Sequence, residues 1–352
     1  MDKAEAVRRI RAAMRPVEPG RDYAVDFFRP EDGSGVARLF YTIYGEDYPV
    51  ADYYFPDRII KANESGDVRT VVARLDTGEV VGQTALYRGS PPNPGLFEFG
   101  QMLILPEYRH SFLALRLMLF VKDRLAGSEG VDGIFGEAVC HHLVTQKMSP
   151  KMRTSPCGLE IALMPEGAYA KERAAGRVSC LIAARVDCDR RRELFLPGCY
   201  RDAMEFVLED LSLDREVVFA TDAAPASGET SMDTKLFDFA GVLRCQVNEA
   251  GEDFRDKLEA IERRAAESKL AVVQFFLDAA RSGAVYGAGV LREKGYFLGG
   301  LVPIWFARGD ALLMQKLHVA PEFEAIRLFG ERAQALMGHI RADYEQAAAR
   351  SS

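Results

Sequence analysis

One tryptophan, five histidines and six scattered cysteines are few for a 352-residue chain. The cysteines at 140, 157, 180, 188, 199 and 245 form no CxxC pair, so their spacing writes neither a zinc site nor a disulfide scaffold. A reduced, cytoplasmic protein without a metal is expected. Positive charge is not in excess: 45 Lys and Arg stand against 52 Asp and Glu, a net charge of −7. That balance argues against a general nucleic-acid binder, because phosphate backbones reward clustered Lys and Arg. No apolar run approaches the ~18 residues of a membrane-spanning helix. The opening MDKAEAVRRIRAAMRP is an amphipathic helical pattern rather than a secretory leader. Neither nucleic acid nor membrane is therefore an expected partner, and oligomeric state stays open. What remains is 48% hydrophobic and 28% charged, an ordinary globular composition at a length that suits two domains.

Periodicity divides the chain into elements. A strand at 25–28 leads into a helix carrying Val36, Leu39, Phe40 and Ile43 on one stripe. TVVARLDTGEVVGQTALYR holds two β-rich runs around Asp76-Thr77-Gly78, a hairpin signal. LFEFGQMLILP is a strand ended by Pro106, and Leu113, Leu117, Phe120 and Val121 then recur at helical spacing. GVDGIFGEAVC is a short strand, TQKMSPKM a broken helix and CGLEIALMP a closing strand. The order β-α-β-β-β-α-β-α-β predicts an α/β domain with a mixed sheet. A second run of strands and helices starts with VSCLIAARVDC. It continues through the strongly patterned helix DFRDKLEAIERRAAESK to a hairpin turning near Gly309-Asp310.

The segment richest in chemistry is Met102-Leu103-Ile104-Leu105-Pro106-Glu107-Tyr108-Arg109-His110-Ser111-Phe112-Leu113-Ala114. A strand runs into Pro, a Tyr-Arg pair and a tight turn, then directly into a helix. Backbone N–H groups at a helix N-terminus favour an anion such as phosphate, and Arg109 adds a full charge. An unliganded strand–turn–helix corner would carry the same pattern. LxxPxYR followed by a helix resembles the acyl-CoA-binding motif of the GNAT superfamily of N-acyltransferases. Supporting runs are YGEDYP at 44–49, the hairpin, and GEAVCHHLVTQKM. The resemblance covers about residues 23–165. It implies a GNAT-like α/β fold, a mixed sheet with helices on both faces, and acetyl-CoA or another acyl-CoA as co-substrate. Met102, Leu103 and Ile104 would flank the pantetheine arm, and the turn from Arg109 through His110, Ser111, Phe112 and Leu113 to Ala114 would hold the pyrophosphate. Phe112 stands where the family has glycine; a turn needing positive φ would make it an outlier.

The family's reaction is direct attack of an amine on the thioester, with a carboxylate or histidine taking the proton. Glu98 and Glu137 lie on the strands that would flank the cleft, and His142 follows the second, beside His141. An outward strand residue or a structural histidine pair would look the same. Tyr44, Tyr48 and Tyr54, with Tyr41, Tyr53 and Phe55, form an aromatic cluster where such enzymes bind the acceptor, and Asp47 and Asp52 could attract a cationic amine. Rings anchoring a helix to the core would be equally consistent. Cys140 lacks an orienting third group for a Cys–His nucleophile. The second half resembles a diverged GNAT domain: VLREKGYFLGGLVP looks like the family's fourth helix and the strand after it, while RCQVNEAGEDFRDKL places acids where a phosphate would sit. The expectation is two tandem domains: an N-terminal helix over 1–22, an acyl-CoA-binding domain over 23–168 and a degenerate one over 169–352. The activity implied is acyl transfer to an amine of a small molecule or peptide. The alternative is a catalytically silent module that binds ligand or protein.

Overall fold

The computed structural model describes residues 2–109, 111–167 and 176–351. The chain parts into two compact units, residues 1–90 with 97–134 and residues 91–96 with 135–352.

In the first unit, α1 (Lys3–Ala13) is capped by Asp2, whose carboxylate accepts the Glu5 amide at 2.8 Å. After β1 (Tyr23–Phe27) come α2 (Gly33–Tyr44) and α3 (Pro56–Glu64), which starts on a proline already set at a helical φ. Then follow β2 (Val68–Leu75), β3 (Val80–Tyr87), β4 (Leu96–Ile104) and α4 (Leu113–Arg124). The four strands lie in the order β1-β2-β3-β4, each antiparallel to its neighbour. The Asp76-Thr77-Gly78 hairpin forms as the sequence predicts, Gly78 supplying the left-handed φ of 88°. Arg74 of β2 grips the buried Asp32 carboxylate with two nitrogens, at 2.7 and 2.5 Å, and so pins the start of α2 to the sheet. Leu113, Leu117, Met118 and Val121 form the buried stripe of α4.

The second unit takes in β5 (Gly133–Val139) from Phe135 onward, the single turn α5 (Ser149–Met152), β6 (Ser155–Met164) and β7 (Val178–Val186). It continues with β8 (Arg192–Pro197), α6 (Arg201–Leu211), β9 (Arg215–Ala220), β10 (Ser231–Phe237) and β11 (Val242–Glu249). Then come α7 (Phe254–Glu267), β12 (Val272–Asp278), α8 (Gly283–Glu293), β13 (Phe297–Val302), β14 (Ala311–Leu317) and α9 (Glu331–Ser351). Strand order is β5-β7-β6-β13-β14-β12-β11-β10, with β8 and β9 in a separate parallel pair. β11 and β12 are parallel neighbours joined through α7, a crossover that parallel strands require. Every residue of β12 is buried, which is why its apolar run does not alternate.

Several details depart from the sequence reading, among them α3, a second helix ahead of the hairpin. Val178–Val186, taken there to open the second half, pairs antiparallel with β6 over Ser155↔Ala184 to Met164↔Val178. The 21-residue helix α9 has no counterpart in that reading. Apart from α3, the element order of residues 23–186 recurs over 192–317, yet pairing differs: β1 and β2 are antiparallel, β8 and β9 parallel. The expected boundary at 168/169 touches residues outside the described set.

β13 meets β6 only through Gly300↔Gly158. Gly300 has φ +139°, and a Cβ there would stand 2.3 Å from the Cys157 carbonyl oxygen. Beside this crossing the fully buried Gln315 amide does a strand's work: Nε2 donates to Leu159 O at 2.8 Å, and Oε1 accepts Ile161 N at 2.9 Å.

Candidate active site

β4 is interrupted at the residues that the sequence singles out. Gln83 of β3 faces Leu103 and Ala85 faces Gly100, so Gln101 and Met102 together oppose Thr84. This is a β-bulge; Gln101 takes φ 53°, a conformation uncommon for a residue with a side chain. Thr84 Oγ1 donates to Gly100 O at 2.9 Å and Gln83 Nε2 to Gln101 O at 3.2 Å, which secures the kink.

Just before the bulge, the hydroxyl of Tyr87 donates a hydrogen bond to the carboxylate of half-buried Glu98. Gly100 has no side chain to obstruct this: a Cβ there would lie 2.9 Å from Tyr87 Oη. The predicted acceptor tyrosines converge on the same place. Phe40 is the hub, its ring 4.3 Å from that of Tyr53, 4.7 Å from Tyr48 and 6.4 Å from Tyr44. Gln101 Nε2 donates to the Tyr53 hydroxyl. Tyr54 donates to Gly45 O at 2.9 Å and accepts Tyr48 N at 3.0 Å, holding the 45–48 turn in shape. Burial raises the Tyr48, Tyr53 and Tyr54 hydroxyls above the usual phenol range, with Glu98 opposing charge on Tyr48 and Tyr53 as well. All three stay protonated at neutral pH and can donate hydrogen bonds. Asp52 is already taken by Arg58 at 2.5 Å.

The predicted anion turn is an ordinary, well-bonded corner. Tyr108 is buried, and its hydroxyl donates to Glu18 O at 2.8 Å. Ser111 Oγ donates to Tyr108 O at 2.7 Å and caps the Leu113 amide at 3.2 Å. Arg109 is exposed, with Nε 3.3 Å from Ile104 O. Phe112 has φ −74°, so the turn does not need the left-handed conformation that glycine would supply. Its ring is 78% exposed. Leu103 and Leu113 are buried, and Met102, Ile104 and Ala114 half-buried. His110 lies outside the described residues.

The other two predicted bases belong to the second unit and have different company. Glu137 stands 3.6 Å from Arg244 Nη2, the same nitrogen that donates to Glu160 at 2.6 Å. Gln274 donates to Glu160 at 2.9 Å and accepts Arg244 Nε at 3.1 Å. Glu160 is fully buried, with Oε2 unpartnered. Burial, reinforced by the Glu137 charge, pushes its carboxyl up to about 7. His142 rests edge-on against His141, ring centres 4.3 Å apart, and its Nδ1 accepts Val144 N at 3.3 Å. Burial lifts the neighbouring Cys140 thiol to about 12, which removes it as a nucleophile.

Tyr87, Gln101 and Glu160 escaped the sequence reading. Tyr87 ends the second hairpin strand; only the cross-strand register, fixed by the bulge, places it opposite Glu98.

Among the solved structures that this chain resembles are acetyltransferases. One is a GNAT-family acetyltransferase of Desulfovibrio desulfuricans, 17% identical, covering 47% of this chain and 99% of its own, TM-score 0.37. Another is the ribosomal-protein-S5-alanine acetyltransferase of Vibrio fischeri, at 9% identity, 50% and 97% coverage and TM-score 0.38. A third is the spermidine/spermine N-acetyltransferase of Vibrio cholerae, at 12%, 47% and 92%, and 0.37. No protein-family model matches the sequence, and no curated relative does. The chain's own order is strand, helices, three antiparallel strands, helix, strand, a mixed α/β arrangement.

Proposed function

We propose that this protein is an acyl-CoA-dependent N-acyltransferase, moving an acetyl or other acyl group to an amine of a small molecule or peptide. The observation that carries the reading is the Tyr87–Glu98 pair amid the tyrosine cluster, three residues ahead of the β4 bulge, on the strand that runs into the Tyr108–Ala114 turn.

In this reading Met102, Leu103 and Ile104 follow the pantetheine arm with their backbone, and Arg109 with the turn from Ser111 to Ala114 takes the pyrophosphate, which would replace the present Ser111 N–Tyr108 O and Leu113 N–Ser111 Oγ bonds. The residues present fit that role, since an exposed guanidinium sits at the start of a twelve-residue helix. The acceptor amine lies among Tyr44, Tyr48 and Tyr54. Glu98 receives a proton from the amine as nitrogen attacks the thioester carbon; the C–S bond breaks, and coenzyme A leaves as a thiolate that takes a proton. Tyr87 holds the Glu98 carboxylate in one orientation by its hydrogen bond. Glu137 is committed to Arg244 and is set aside as base, and His142 has one ring nitrogen occupied. Residues 23–168 would then form the working domain, and 169–352 a degenerate partner.

The test is calorimetric titration with acetyl-CoA and CoA, followed by an assay of free thiol release with a panel of primary amines and peptides. Saturable binding with amine-dependent thiol release supports the reading. Binding without turnover across the panel would favour a silent ligand-binding module, and no binding would end the proposal.

A further inference from the structure

A cavity of about 540 Å³ lies in the first unit between α1, the start of α2, α3 and the β2–β3 turn. Its size falls within the range of small-molecule pockets. Ile10 and Val80 are among its apolar lining, and Arg9, Arg38, Glu31, Asp57 and Glu79 give it charge, Arg9 being already paired with Glu5 at 3.1 Å.

Arg38 is the informative residue. Its side chain is only 14% exposed, yet the guanidinium, with five N–H donors, makes one hydrogen bond, Nη2 to Val80 O at 3.0 Å. Nη1 stands 3.8 Å from Glu79, too far for a good hydrogen bond, and Nε has no acceptor. Glu79 is meanwhile engaged by the Thr77 hydroxyl at 3.0 Å. A cation so enclosed is ordinarily paired and fully bonded. Glu31 and Asp57 are exposed carboxylates at the same cavity.

We propose that this cavity binds a small zwitterion of amino-acid type, its carboxylate on the Arg38 guanidinium and its ammonium between Glu31 and Asp57. A bare polyanion would meet three carboxylates, and a simple amine would leave Arg38 unsatisfied; a zwitterion answers both. The cavity also touches the tyrosine cluster, because the ring of Tyr54 lines its wall while the hydroxyl holds Tyr48. Occupancy would therefore stiffen the proposed acceptor loop.

The experiment uses the full chain, with calorimetry and thermal shift against the standard free amino acids at millimolar concentration. For any amino acid that binds, its methyl ester and N-acetyl derivative follow. One-to-one saturable binding is expected for at least one, with each single-charge derivative about tenfold or more weaker. Glu31→Gln combined with Asp57→Asn, both at the surface, should weaken it by a similar factor while leaving CoA titration unchanged. Arg38→Lys, which keeps the charge but loses the planar fork, should weaken it too; if that variant is unfolded by circular dichroism, the surface double variant decides. No binding by any amino acid, an ester as tight as its parent, or undiminished affinity in the double variant would overturn the proposal.

Discussion

Tyr87 and Glu98 sit directly opposite each other on antiparallel β3 and β4, and the tyrosine hydroxyl donates to the carboxylate across the pair. Cross-strand neighbours are the closest side-chain contacts a sheet offers, so the carboxylate is oriented by the sheet rather than by a loop. Glu98→Gln should lower turnover by about 100-fold or more, the scale of general-base catalysis, with acetyl-CoA affinity changed less than about twofold. Tyr87→Phe, which leaves the carboxylate in place without its anchor, should cost about tenfold. Steady-state kinetics beside calorimetry separates the two effects; equal losses in affinity and turnover would assign Glu98 to cofactor binding instead.

Glu160 gives the second unit a pH signature. Its folded-state pKa, about 7, lies above its ordinary 4.5, so between these values the folded state binds the extra proton. Stability should then fall as pH rises from about 4.5 to about 7 and level off above. Glu160 faces Arg244 on β11, Gln274 on β12 and the charge of Glu137 on β5. Glu160→Gln should remove most of that slope in urea unfolding followed across this range. Arg244→Leu should cost about 3–5 kcal/mol at pH 8, because it leaves a buried carboxylate without its counter-charge, and less at pH 5, where Glu160 keeps its proton.

The helical stripes, the hairpin at Asp76–Gly78 and the gathering of Tyr44, Tyr48 and Tyr54 were legible in the sequence, because each depends on local spacing. The Tyr87–Glu98 pair was not. It depends on a bulge at Gln101, and nothing in the residue types of β4 announces a φ of 53° at that position. Likewise Glu160, Arg244 and Gln274 come from β6, β11 and β12, and only the assembled strand order makes them neighbours. The expectation of strain at Phe112 rested on an assumed turn shape, which its φ of −74° replaces.

The thiols provide a check on packing. Cys140, Cys157, Cys180 and Cys245 are buried, while Cys188 and Cys199 are exposed. Burial raises the Cys199 thiol even so. In native buffer an aromatic disulfide reagent should modify Cys188 first and Cys199 more slowly, with the remaining four reacting only after denaturation. Mass mapping of the labelled peptides identifies them, and early modification of Cys140 would contradict its burial.

Arg109 and Phe112 test the anion turn itself. If the turn holds a pyrophosphate, Arg109→Ala removes a charge-assisted bond of ~1.5–3 kcal/mol, a ten- to hundredfold loss of CoA affinity. Phe112 makes the opposite case: with its ring 78% exposed and its φ negative, it neither fills the core nor strains the backbone. Phe112→Gly should therefore change stability by no more than about 0.5 kcal/mol. It should change CoA affinity by less than about threefold, and Phe112→Ala should behave alike, because glycine's freedom is not used at this φ. If instead Phe112→Gly tightens CoA tenfold while Arg109→Ala leaves it unchanged, the ring is the obstruction and the guanidinium a bystander. The pyrophosphate would then have to reach the helix end past position 112, on a path that Arg109 does not touch.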